Sequence, residues 1–183
     1  MTGVDLKPAD DLQPAAGLIV EAIRARLAAL MPGLEVHHVG ATALPASVTK
    51  GDVDVVVRVS SAQFSALVEA LKPRFTEKQR ENWTAEFASF GDYGSYALPV
   101  GVQVVVRDSE NDVFVFLRDY FIAHPDQLRE YDRVKAEHAS EGPQAYWHAK
   151  DAFLSSILAA RADATRRQVS PPASAATSAA PGH

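Results

Sequence analysis

The segment VDVVVRV, Val53 to Val59, constrains the fold more than any other, because valine occupies every second position of a β-branched run. Successive side chains of a strand point to opposite faces, so Val53, Val55, Val57 and Val59 share one face, and that face is core. Asp52, Asp54, Val56 and Arg58 share the other face. Asp52 and Asp54 then have Cα atoms about 6.5–7 Å apart. Carboxylates about 6 Å apart repel by roughly 3 kcal/mol at an effective dielectric near 20. Something positive is therefore expected beside them: a cation, Lys50 or Arg58. A plainer alternative makes Asp52 a turn residue and pairs Asp54 with Arg58 or with a neighbouring strand.

The surrounding sequence places this strand in a mixed α and β chain. Asp10 and Asp11 precede LIVEAIRARLAALM, whose apolar residues recur at helical spacing until Pro32-Gly33 stops them, and the two aspartates are the expected caps. Leu34 to Val39 alternates as a short strand. Ser60 and Ser61 offer caps for a helix over QFSALVEALK that ends at Pro73. WTAEFASF, Trp83 to Phe90, alternates as a further strand, GDYG forms a turn, and Leu98 to Arg107 returns antiparallel to it. Beyond Ser109 the apolar period lengthens to about 3.6. DVFVFLRDYFIAH, PDQLREYDRVKAEHA and PQAYWHAKDAFLSSILAARA read as three helices with proline-containing breaks. The expected fold is α+β, a mixed sheet flanked by helices with a C-terminal set of about three helices.

Residues 1–167 are expected to form a single domain, and the Ala/Ser/Pro-rich segment 168–183 a disordered tail with no apolar face to bury. The formal charge of −5 and pI near 5.6 argue against nucleic acid as a partner, since such binding rests on basic residues neutralising phosphates. The absence of cysteine removes thiolate zinc sites and a cysteine nucleophile. The acidic, polar start MTGVDLKPADD lacks a signal-peptide pattern, and no apolar run approaches the roughly 20 residues of a membrane helix, so a cytoplasmic location is expected. His37 and His38 are adjacent on a strand and point to opposite faces, which argues against a shared zinc ion.

A turn of glycine and small residues, Gly40-Ala41-Thr42, lies about ten residues before Asp52, and backbone N–H groups in such a turn can hold phosphate oxygens. Glycine and a small hydroxyl residue after one strand, then an Asp-x-Asp strand, resembles the nucleotidyltransferase superfamily of the DNA polymerase β type. The longer words HHVGATALPASVTKGDVDVVV, FLRDYFIAHPDQLREYDRVK and AYWHAKDAF resemble the GrpB family within it, across roughly Val36 to Leu158. The resemblance implies that Asp52 and Asp54 bind Mg²⁺ and act as the catalytic carboxylates, and that Gly40 and Thr42 contact a nucleotide. Two departures stand out: Ala41 replaces the usual serine, and a third carboxylate is missing. PVGVQVVV offers Gly101 and Gln103 where that acid is sought, and Asp92 and Asp108 are the nearest substitutes.

Arg118, Lys135 and Lys150 lie in aromatic-rich helical words and join Lys50 and Arg58 as candidate contacts to phosphate. An ordinary solvated helix face with intrahelical pairs, such as Asp132 with Lys135, is the competing reading. Tyr120, Tyr131, Tyr146 and Trp147 read more readily as packing residues than as stacking platforms. Three functions remain open. The first is Mg²⁺-dependent nucleotidyl transfer to an acceptor. The second is a non-catalytic module for a nucleotide or phosphorylated small molecule. The third is a protein-interaction module with a vestigial site.

Overall fold

The computed structural model describes residues 3–169. In chain order these form β1 (Lys7–Pro8), α1 (Gln13–Leu30), β2 (Glu35–Val39), β3 (Val48–Thr49), β4 (Val53–Val59), α2 (Ser61–Leu71), β5 (Thr76–Lys78), β6 (Phe87–Asp92), β7 (Val100–Val106), α3 (Phe114–Ala123), α4 (Pro125–Ala139) and α5 (Pro143–Val169). The expected α+β architecture is present. Helix α5 runs two residues past the start of the predicted tail, and the rest of that segment lies outside the described residues.

Five strands form a mixed sheet in the order β2-β4-β7-β6-β5, and β1 pairs with β3 in a separate small ribbon. Strands β4 and β7 run parallel at the centre, and the other pairs of the large sheet are antiparallel. Val53, Val55, Val57 and Val59 lie on one face with Val100, Val102, Val104 and Val106 of β7. Onto that face pack Ile19, Ile23 and Leu27 of α1 and Phe64, Leu67 and Leu71 of α2. Each fully buried side chain of this kind contributes roughly 1.5–3 kcal/mol, so the valine alternation holds the central strands in register. The opposite face carries a smaller cluster of Val39, Val56 and Val105 against Phe87, Phe114 and Val115. Phe121, Leu128, Tyr131 and Ile157 then join α3, α4 and α5 into a helical layer.

Local details differ from the sequence expectation where tertiary contacts intervene. Neither aspartate caps α1: Leu12 holds the N-cap position, and Asp10 Oδ1 accepts the Ala46 N–H instead (2.9 Å). Proline in the first turn pre-sets the α1 backbone without that cap. At α2, Gln63 Oε1 accepts from both the Ser60 N–H (3.1 Å) and the Ser60 hydroxyl (2.8 Å), as half of a capping box would. The strand expected from Trp83 begins only at Phe87. Residues Arg80–Asn82 form a 3₁₀ turn, Gln79 before it is left-handed (φ 45°), and the Trp83 indole donates to the Lys78 carbonyl (2.8 Å). No helix among the described residues is long and apolar enough to cross a membrane.

Candidate ligand-binding cleft

On the sheet face away from α1 and α2, Val39, Asp54, Gly101 and Gly91 lie side by side across four strands. The next row on the same face is Val56, Gln103, Ser89 and Lys78. Gly40, just past the end of β2, and Gly101, on β7, approach Asp54 from either side. A Cβ at Gly101 would lie 2.4 Å from Asp54 Oδ1, and one at Gly40 would lie 2.6 Å from Oδ2. Gly40 also adopts φ +73°, a conformation that glycine takes without steric cost. The carboxylate therefore occupies space that any other residue at 40 or 101 would fill. Gln103 Nε2 donates to Asp54 Oδ1 (3.4 Å), and its Oε1 is buried without a partner. Burial, then the neighbouring Asp52 charge, pushes the Asp54 carboxyl up to about 6, with Lys150 and Lys50 acting in the opposite sense.

Asp52 sits just before β4. Lys50 Nζ is 2.9 Å from Asp52 Oδ2, with its ammonium 5.4 Å above the Trp147 ring. Lys150, on α5, is half-buried, and its ammonium lies 5.2 Å over the Tyr146 ring. Among the described residues no carboxylate lies within ion-pair distance of it. Desolvation lowers the Lys150 ammonium below the ordinary lysine range, while Asp54 and Asp52 act to keep it protonated. Asp52, Asp54, Lys50, Lys150 and Gln103 line one cavity of about 270 Å³, together with Gly40, Lys78, Ser89, Arg118, Tyr146 and Trp147. That volume lies just below the roughly 300–1,000 Å³ usual for small-molecule pockets.

The other expected contact residues are committed elsewhere. Arg58 shares the Asp54 face but lies four residues along β4, and it does not line the cavity. Its guanidinium reaches Asp112 through Nε (2.8 Å) and Nη2 (2.6 Å), and Glu35 through Nη1 (2.6 Å), fastening β2 and β4 to the segment before α3. Thr42 is fully buried: its hydroxyl donates to the Asp52 carbonyl (3.2 Å) and lies 3.0 Å from His38 Nε2. Burial, with Arg118 and Arg24 adding to it, drops the His38 ring to about 4, so a neutral His38 donates from Nε2 to Thr42. Thr42 thus fixes the loop that carries Lys50 and Asp52 and does not line the cavity.

Lys135 lines the cavity, yet its ammonium is fully partnered, by Asp132 (2.6 Å), Ser47 Oγ (3.3 Å) and the Val48 carbonyl. The intrahelical Asp132 pair of the competing reading is present, but Lys135 is buried and not on a solvated face. Arg118 donates to the His38 carbonyl (3.1 Å) and pairs with Asp119 (2.8 Å), so only part of its guanidinium faces the cleft. Asp92 and Asp108 do not line the cavity: Asp92 accepts the Gly94 and Ser95 N–H groups and pairs with Arg26, and the Asp108 N–H donates to Asp112. Lys78 and Ser89 reach the cleft through strand pairing across the sheet, and no short-range pattern marks them; Gln103, singled out in the sequence as the place of a missing acid, reaches it the same way.

The GrpB protein family model matches residues 9–160. The chain belongs to the GrpB family. A UPF0157 protein of Vibrio cholerae is 28% identical over 151 residues, covering 82% of this chain and 79% of that protein. The crystal structure of GrpB from Enterococcus faecalis has the same fold, with a TM-score of 0.66 at 20% identity, covering 84% of this chain and 94% of that one. A looser likeness is to the Cid1 poly(U) polymerase with MgGTP bound, with a TM-score of 0.49 at 14% identity over 73% of this chain and 43% of that one.

Asp52 and Asp54 in this GrpB cleft are oxygen donors of the kind Mg²⁺ takes. Their surroundings as arranged do not fit a bound divalent cation. Lys50 already holds Asp52, the Gln103 amide presents a donor to Asp54, and Gly101 leaves no room for a further acid. Among the described residues, no group of three or more His, Asp or Glu is placed to hold a metal ion.

Proposed function

We propose that the cleft binds a nucleotide or a related phosphorylated small molecule. Lys150 carries this reading. It is a half-buried ammonium opening into a cavity, stacked on Tyr146, with no carboxylate at ion-pair distance among the described residues. An ammonium has three donors and no acceptor, and a phosphate group brings oxygens that match them. Lys50, Lys78 and part of Arg118 line the same cavity and add positive charge to it. Gly40 and Gly101 hold the Asp54 carboxylate at the floor, and the indole of Trp147 offers an apolar wall.

The test is a melting-temperature screen of nucleotides and phosphorylated sugars in EDTA, followed by calorimetric titration of the best compound. Loss of one charge-assisted hydrogen bond costs about 1.5–3 kcal/mol, so Lys150→Met should weaken binding roughly 10- to 150-fold with the fold intact. A panel without a single stabilising compound, or wild-type affinity in Lys150→Met, would rule this reading out. A second reading, nucleotidyl transfer to an acceptor with Mg²⁺ brought in by the nucleotide and not held by the protein alone, draws on the presence of Asp52 and Asp54 together in the cleft. It requires turnover, which mass spectrometry of nucleotide and acceptor mixtures with Mg²⁺ and with EDTA detects or excludes.

A further inference from the structure

We infer that Lys50 and Lys150 are built-in counter-cations to Asp52 and Asp54, so that the protein alone holds no divalent metal in this cleft and meets a ligand's phosphate with ammonium groups. The ligand clause rests on the proposed binding function; the counter-cation clause stands on the geometry.

Asp52 is paired with one ammonium, and Asp54 shares its cavity with a second that stands outside ion-pair distance. Lys50 is at 2.9 Å from Asp52 Oδ2, and the Trp147 ring on its flank restricts where the ammonium can go. Lys150 projects from α5 into the same cavity, and Asp54 is the first charge that keeps it protonated against desolvation. Two ammoniums balance two carboxylates, and a divalent ion added between them would meet both as like charges.

The strand beside Asp54 is arranged for the same outcome. The position opposite Asp54 on β7 is Gly101, where a Cβ would lie 2.4 Å from Oδ1, so an acid cannot stand there while Asp54 keeps its place. The next residue on that face, Gln103, turns its Nε2 donor toward Oδ1 and leaves its own Oε1 buried without a partner. A metal site needs another oxygen acceptor aimed at the cation; this one has an amide donor aimed at the carboxylate. The ammoniums keep capacity for phosphate oxygens. Lys50 has one carboxylate partner and Lys150 has none at ion-pair distance among the described residues, unlike Lys135, whose ammonium is fully bonded within the protein.

The test uses metal alone, without nucleotide, so its failure is distinguishable from failure of the ligand screen. Melting of the full chain is compared in EDTA and in millimolar MgCl₂. The wild type should not shift, whereas Lys50→Met/Lys150→Met should gain a Mg²⁺-dependent rise of several degrees that a further Asp54→Asn change removes. Titration of wild-type protein with Mn²⁺ followed by electron paramagnetic resonance needs no variant, and the free-ion signal should persist. A stoichiometric wild-type site for Mn²⁺ or Mg²⁺ that Asp54→Asn abolishes would overturn the inference. So would a folded double lysine variant that responds to Mg²⁺ no more than wild type.

Discussion

Replacing Gly101 with alanine asks whether the Asp54 carboxylate really fills the space that glycine leaves. The new methyl would sit 2.4 Å from Asp54 Oδ1 and 3.1 Å from Gln103 Nε2. The first distance is far inside van der Waals contact, so the Asp54 carboxylate or the backbone of the two paired strands must shift. Overpacking of this kind costs about 1–3 kcal/mol. For a domain of this size that is a loss of roughly 2–12 °C in melting temperature. In an Asp54→Ala background the carboxylate is gone, and the only close contact left at Gly101 is the mobile end of Gln103. Urea denaturation of wild type, both single variants and the double variant closes the cycle. The Gly101→Ala cost should fall by at least about 1 kcal/mol when Asp54 is absent. An unchanged cost in that background would refute the claim that Asp54 dictates glycine at this position.

Acidification should act on two buried groups in opposite directions. Asp54, raised from 3.8 to about 6, takes up its proton in the folded state first, so its destabilising effect above pH 6 is relieved as pH falls toward 4, by at most roughly 3 kcal/mol. His38, lowered from 6.5 to about 4, stays neutral in the folded state, so stability present above pH 6.5 is lost as pH falls toward 4, by a similar amount. Denaturation from pH 4 to 7 should therefore show Asp54→Asn losing more stability on acidification than wild type and His38→Gln losing less; identical slopes in all three would contradict both assignments. Lys135→Met should cost about 3–5 kcal/mol, because it leaves the Asp132 charge without its partner at 2.6 Å, and a loss under about 1 kcal/mol in the same denaturation assay would remove its structural role.

The sequence alone was sufficient for features whose causes are local. The alternation through β4 sorts its valines from Asp54 and Arg58 correctly, and the antiparallel pairing of β6 with β7 follows from two alternating runs around a turn. The absence of an acid at Gly101 and Gln103 was equally visible. The reason for it was not, since Asp54 and Gly101, 47 positions apart in sequence, meet only when β4 and β7 pair in parallel. Strand β5 and the β1–β3 ribbon escaped because TEK, KP and VT are too short to show a period. The ion pairs of Arg58 stayed hidden for a related reason: its partners Glu35 and Asp112 are remote in the chain, and nothing near Arg58 announces them.

The basic residues differ less in charge than in how many of their donors the fold has already used. Five were expected near phosphate. Arg58 is held by two carboxylates and stabilises the far end of the sheet face. Lys135 is fully bonded and ties α4 to the chain before β4. Arg118 is divided between the His38 carbonyl, Asp119 and the cleft. Lys50 has one ion pair, Lys150 has no carboxylate within ion-pair distance among the described residues, and both line the cavity with the two aspartates. A buried cation with satisfied donors gains nothing from a ligand, because binding would exchange one partner for another, whereas an ammonium desolvated without equivalent bonds gains those bonds when an anion arrives. Positive charge alone therefore does not identify the binding residues of this GrpB cleft. Under the proposed binding function, unmet hydrogen-bonding capacity at the cavity wall ranks Lys150 first and Lys50 second, while Lys135 secures the wall and Arg58 fastens strands away from the cavity.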